Sequence, residues 1–200
     1  MPSRPSLSNR SKMQPLRIGG GRFNGRRLQS APGLDVRPTS GRVRQALFNM
    51  LRPLIGNAIF VDLFAGTGSV GLEALSHGAR QVIFVEQDRR AAAVLQDNIQ
   101  RCAVADRTTV ILASLPQALQ LVTATASVDL LFLDPPYASD LAEMTLDALQ
   151  GMALLAPHGV LIWQHAVQHA VPAEVLGRPC WKIRRYGDTQ LSLYTHGAVR

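Results

Sequence analysis

Four consecutive residues, Asp134-Pro135-Pro136-Tyr137, place a carboxylate, two stiffened carbonyls and an aromatic ring directly after an apolar run, VDLLFL. The prolines remove two amide donors and restrict the backbone. What remains is a set of acceptors beside a flat ring, which complements an exocyclic amine on a nucleic-acid base. Asp134 and the Pro135 carbonyl would accept the two N–H donors of such an amine, while Tyr137 stacks on the base. The amine's lone pair is delocalised into its ring, so a reaction at that nitrogen needs aiming and stabilisation of developing charge. No covalent enzyme intermediate is required, and Cys102 and Cys180 stand in no context that suggests one. His165 and His169 lie four apart without a third ligand type, so no metal is expected.

An upstream segment supplies the cofactor chemistry. The apolar run AIFVDLF leads into AGTGSVG, in which Gly66, Gly68 and Gly71 form G-x-G-x-x-G. Glycines at this spacing let a backbone turn approach a nucleotide cofactor, and taken alone they serve several cofactors. Glu86 ends the next apolar run 20 residues after Gly66, where a carboxylate can accept from both ribose hydroxyls. NAD and S-adenosylmethionine share that need. Asp62 separates them, because an acid at the end of the first strand suits the cationic methionine portion. Asp62, Phe64, Gly66, Gly68 and Glu86 are therefore the candidate S-adenosylmethionine contacts.

These residues need a scaffold, and the order of elements provides one. Strands are expected at 58–64, 81–86, 108–112, 128–133 and 159–164, with helices at about 69–77, 89–103, 115–122 and 140–155. Strand and helix alternating in this way imply a largely parallel sheet covered on both faces. CWKIRRY and QLSLYTH, joined through Gly187 and Asp188, read as a terminal hairpin that can run antiparallel. Near the start, RIGGGRFNGRRLQS suits a short ribbon rather than a helix, since three glycines penalise helix formation. Thr39 or Ser40 then caps a helix through about Leu51, with Val43, Leu47 and Met50 inward and Arg42 and Arg44 off that face.

Charge divides the chain unevenly. Eleven of the 21 Lys and Arg fall in residues 1–52, against one acid, Asp35, although the whole chain carries only +7. Such concentration argues for a surface that meets a polyanion. The expected organisation is a flexible basic tail at 1–14, a basic hairpin and helix at 15–52 facing RNA, and a catalytic core at 53–200. No apolar leader opens the sequence and no 18-residue apolar run occurs, so a cytoplasmic protein with no membrane partner is expected.

With these motifs in hand, the chain resembles the RsmD family, bacterial methyltransferases that make N2-methylguanine in 16S ribosomal RNA. DLFAGTGSVGLEAL, the Glu86 strand end and DPPY carry the general class I methyltransferase layer. RIGGGRFNGRRL at 17–28 and GLDVRPTSGRVRQALFNML at 33–51 carry the family-specific layer. The resemblance implies a Rossmann-like α/β fold with a seven-stranded, mostly parallel sheet whose last strand is antiparallel. It implies transfer of methyl from S-adenosylmethionine to guanine 966 in a small ribosomal subunit or late assembly particle, and a monomer is expected to carry it out. By motif position, Arg17, Arg22, Arg26, Arg27, Arg37, Thr39, Arg42 and Arg44 would contact RNA, with the entrance block from Arg37 to Arg44 alternatively closing the cofactor site. After the third strand, where many members have Asn or Asp followed by Ala, this chain has Leu112-Ala113-Ser114-Leu115. Ser114 or a backbone carbonyl would then meet the adenine. The competing readings are a DNA adenine-N6 or cytosine-N4 methyltransferase, an NAD-dependent oxidoreductase, and a non-enzymatic RNA-binding assembly factor.

Overall fold

The apolar runs pair as the alternation requires. A computed structural model describes residues 16–30, 39–123, 127–136 and 140–197. The helices are α1 (Gly41–Leu51), α2 (Ser69–Ser76), α3 (Arg89–Cys102), α4 (Leu119–Thr123) and α5 (Leu141–Leu149). The strands are β1 (Ile59–Asp62), β2 (Gln81–Glu86), β3 (Thr108–Leu112), β4 (Val128–Leu133), β5 (Leu155–Ala166), β6 (Glu174–Val175), β7 (Arg178–Tyr186) and β8 (Thr189–Tyr194). They form one sheet in the order β3-β2-β1-β4-β5-β8-β7-β6. The first five are mutually parallel, and β8 lies antiparallel between β5 and β7.

Central strands buried on both faces have to be apolar throughout, and β1 is fully buried. Phe60, Phe84, Phe132 and Ile162 point to one side, where they meet Ile18, Phe23, Val43, Leu47 and Phe48. Val61, Ile83, Leu131 and Trp163 point to the other, against Leu119, Leu146 and Leu149. One core thus runs through the basic N-terminal elements and the strands alike. The ribbon takes the expected form: Arg17 bridges Arg27 in an antiparallel pairing around a turn at Gly21–Phe23. Ser40 caps α1, its hydroxyl accepting from the Val43 amide at 3.3 Å.

Three expectations about elements need correction. The sheet has eight strands rather than seven, because Leu176 (φ 53°) and Gly177 (φ 73°) turn the chain sharply enough to fold β6 onto β7. Two consecutive residues in the left-handed region are what a tight hairpin loop demands. The helix expected over 115–122 starts only at Leu119, and the one over 140–155 stops at Leu149 because Leu155 already pairs with Val128. The expected tail at 1–14 lies outside the described residues. Among the described residues, no helix is long and apolar enough to cross a membrane.

Candidate active site

The carboxyl ends of β1, β2 and β4 gather the candidate residues at the edge where open α/β sheets bind ligands. Phe132 pairs with Asp62 in the sheet register, so Asp134, two residues on, leaves the sheet on the same face as Asp62. Between β1 and α2 the chain makes its glycine turn. Gly66 (φ 54°) and Gly68 (φ 83°) take left-handed conformations, and a Cβ on Gly68 would come within 2.3 Å of the Leu95 Cδ1 methyl. This is why the turn requires glycine there.

Glu86 fastens that turn. One carboxylate oxygen accepts from the Gly66 amide at 2.6 Å and the other from the Asp88 amide at 2.8 Å. The carboxylate is held in one orientation beside the turn, and its two oxygens have capacity to accept further hydrogen bonds. Phe64 lies half-buried in the turn. Ser114 lies after β3 on the surface, with its hydroxyl 3.5 Å from the Gln117 amide oxygen.

Asp62 and Asp134 have a different character. Asp62 is fully buried and its Oδ2 accepts from the Gly71 amide at 3.2 Å, while Oδ1 has no partner. Burial, and then the neighbouring Asp134 charge, push its carboxyl up to about 7. Burial likewise pushes Asp134 up to about 7, opposed by hydrogen bonds from the Thr39 hydroxyl and the Gln164 side chain. Two buried acids, one raising the cost of ionising the other, which has an orphaned oxygen, form a site that a cation would satisfy. The methionine portion of S-adenosylmethionine, with its sulfonium and ammonium, fits that donor set. Among the described residues, no group of three or more His, Cys, Asp or Glu is arranged to hold a metal ion.

Thr39 and Arg44 depart from the expected docking role. Thr39 is buried, and its hydroxyl donates to Asp134 Oδ2 at 2.8 Å. It therefore lies inside the cluster around Asp134 rather than on an outward face. Arg44 was expected off the buried face of α1, but its side chain is only 4% exposed. Its three nitrogens meet Glu73 Oε2 at 2.5 Å, the Thr39 carbonyl at 3.2 Å and the Arg17 carbonyl at 2.6 Å. Three of its five N–H donors are so engaged and the side chain is buried, so it braces α1, the ribbon and α2 from within rather than facing a phosphate. Arg17, Arg22, Arg26, Arg27 and Arg42 are exposed, as a docking set requires. Arg37 and Tyr137 lie outside the described residues.

Three residues were missed by sequence reasoning. Gln164, buried on β5, completes the setting of Asp134. Glu73 is the buried partner of Arg44. Asn98, fully buried on α3, bonds both the amide and carbonyl of Gln29 in the ribbon and the carbonyl of Thr67 in the glycine turn. An Asn amid the apolar face of a helix is the signal that marks it, since a buried amide must find partners.

The fold, the fastened glycine turn and the paired strand-end acids define a class I S-adenosylmethionine-dependent methyltransferase. Residues 16–195 match the family model described as Conserved hypothetical protein 95. The chain belongs to that family, the one that includes ribosomal RNA small subunit methyltransferase D. The protein of that name from Escherichia coli K12 is 33% identical over 190 residues, covering 95% of this chain and 94% of the relative. Its Haemophilus influenzae counterpart is 36% identical over 148 residues, covering 73% and 76%. Among solved structures, the Escherichia coli protein yhhF superposes with a TM-score of 0.77 at 33% identity, covering 92% of this chain and 99% of the other.

Proposed function

We propose that this enzyme transfers methyl from S-adenosylmethionine to N2 of guanine 966 in 16S ribosomal RNA, acting as a monomer on a small ribosomal subunit or late assembly particle. The observation that carries the proposal is the Asp134 carboxylate, aimed by Thr39 at 2.8 Å beside Asp62 and followed by two prolines. The names of the relatives supply the class of RNA, and the family resemblance supplies the base and position.

When bound, S-adenosylmethionine supplies an electrophilic methyl on a positively charged sulfur. The chain's own groups do the rest. Glu86 would hold the adenosyl ribose, and Asp62 with Gly66 and Gly68 would surround the methionine portion, Asp62 offering its unpartnered oxygen to the cationic half. Asp134 and the Pro135 carbonyl accept from the guanine amine, turning its nitrogen toward the methyl group. On transfer the N–C bond would form as the S–C bond breaks, with S-adenosylhomocysteine leaving; the nitrogen would take up the positive charge and then lose one N–H proton to solvent. Asp134 faces that charge as it develops, so its interaction is strongest in the transition state. Extrusion of the base costs a few kcal/mol and is cheapest in a loop. The exposed arginines of the ribbon and Arg42 make phosphate contacts that set register.

A tritiated-methyl assay tests this reading with small-subunit particles lacking the modification, naked 16S RNA and duplex DNA as acceptors. Label is expected in the particle, at one guanine. Preferential labelling of DNA would replace the reading with a DNA amino-methyltransferase.

A further inference from the structure

Residues 53–200 hold ten basic and 13 acidic residues, an average that conceals a local excess. Four of those ten, Arg178, Lys182, Arg184 and Arg185, fall within β7, which has no acid. Arg178 is internal, its guanidinium donating to the carbonyls of Gly159, Leu176 and Ala156. The other three are at or near the surface, and none enters an ion pair among the described residues.

Strand register gives this basic strip a face. Lys182 pairs with Leu193, Arg184 with Leu191 and Tyr186 with Thr189. Cross-strand partners share a side, and Leu191 and Leu193 lie in the core that also holds the inner faces of α1 and the ribbon. Beside them is an open groove of about 430 Å³ between α1 and β7. Asn49, Met50 and Pro53 wall one flank, with Trp181, Lys182 and Tyr186 on the other. Trp181 and Tyr186 are half-buried, so each packs one part against the core and leaves another part open. The Lys182 ammonium sits 4.6 Å from the Trp181 ring centroid.

We infer that this groove is a second RNA-docking site, which takes a single-stranded nucleotide by stacking on Trp181 or Tyr186 while Lys182 and Arg184 meet its phosphates. The inference rests on the RNA reading of the active site and extends it to a surface outside the ribbon. Charge decides the occupant: the groove joins rings to Lys182, with Arg184 two residues along on the same side of β7, and has no acidic residue in its lining. Single-stranded nucleic acid offers the complement, flat bases on an anionic backbone. Because groove, α1 and ribbon are on one side of the sheet, an RNA strand held by the ribbon arginines can continue across α1 into the groove.

The chain's two tryptophans make the test direct. Trp163 is 2% exposed in the core, so quenching by an added ligand reports Trp181. The full-length protein is titrated with a single-stranded oligoribonucleotide. Expected are saturable quenching in wild type, its loss in Trp181→Phe, and binding about tenfold weaker in K182E/R184E. The double variant should also show a log-log salt dependence shallower by about 1 to 2. Affinity for S-adenosylhomocysteine should be unchanged, which separates a lost contact from a lost fold. Oligonucleotide binding that leaves Trp181 emission untouched, with K182E/R184E within twofold of wild type, would overturn the inference. So would concentration-dependent dimers that K182E/R184E abolishes, since the groove would then belong to a second copy. Methylation of the particle by wild type is measured alongside. If it proceeds while the groove variants bind RNA normally, the groove assignment fails and the proposed activity stands. If no RNA is methylated, the activity reading itself fails.

Discussion

Glu86 and the pair Asp62–Asp134 are carboxylates on the same edge of the same sheet, yet their surroundings assign them different tasks. Glu86 accepts two backbone amides and is thereby both oriented and satisfied before any ligand arrives. Asp62 keeps one oxygen unpartnered in a dry setting, and both it and Asp134 are pushed to about 7. A satisfied acid can act as a fixed acceptor for neutral hydroxyls. A buried pair with one unpartnered oxygen, on Asp62, carries an electrostatic demand that a cation would relieve. In the proposed reading, two backbone donors make Glu86 a fixed acceptor, while the one oxygen of Asp62 that lacks a donor is left for a cation.

The largest effect expected is at Asp134. Asp134→Ala should lower single-turnover methyl transfer by about 10²–10³-fold while S-adenosylmethionine binding is largely retained. Asp134→Asn keeps an acceptor without the charge and should fall between wild type and Ala. Near-wild-type transfer by Ala would remove Asp134 from catalysis, and equal collapse of Asn and Ala would mean that an ionised carboxylate is obligatory. Glu86→Ala comes next. Loss of a charged acceptor should weaken cofactor binding by about 1.5–3 kcal/mol in calorimetry, with the fold intact by circular dichroism. Unchanged affinity would dissolve the clamp side of the comparison.

Thr39→Val is a smaller and more discriminating change. It removes the donor to Asp134 Oδ2 and retains the shape, so turnover should fall about five- to tenfold, the worth of about 1 kcal/mol. Because that bond favours the carboxylate, the acid limb of the rate profile should move to higher pH. A rate loss with no movement of the profile would make Thr39 a packing residue.

Proton release is the subtlest measurement. At pH 7 two groups titrating near 7 are each about half protonated, so a cation that draws both downward should release about one proton in total. Calorimetry in buffers of different ionisation enthalpy should show this for S-adenosylmethionine, with less for S-adenosylhomocysteine, which lacks the sulfonium. The stability sign follows from linkage. These carboxyls hold protons in the folded state that an unfolded chain loses near 3.8, so stability they contribute at low pH is lost as pH rises toward about 7. Melting temperature without cofactor should therefore fall less between pH 5 and 8 in Asp62→Asn than in wild type. No proton release, together with identical pH dependence in that variant, would break the contrast.

Much of the site was written in short stretches of sequence. The glycine turn, the Glu86 strand end and the DPP loop each impose a local backbone requirement, so residue type and spacing suffice to recognise them. The alternation of apolar runs was similarly enough for a parallel α/β sheet, because central strands have no solvent face on which to place polar residues. The ribbon was legible from its glycines, and the C-terminal hairpin from Gly187-Asp188.

Tertiary structure decided what distant segments do to one another. Helical periodicity places Arg44 away from the inward positions of α1, and only the arrival of Glu73, 29 residues later, makes it an internal cross-brace. Thr39 reads as a helix-start residue until Asp134, 95 residues on, takes its hydroxyl. Asn98 reads as one polar position on a helix until the ribbon and the glycine turn close on its amide. The basic strip of β7 is diluted by acids elsewhere in the chain until sheet register sets it beside α1. Periodicity and turn chemistry are properties of a few neighbouring residues and survive in one dimension. A buried polar group is settled by whichever partner the folded chain brings within hydrogen-bond reach, and that partner is set by the packing of the sheet and its helices rather than by proximity in sequence.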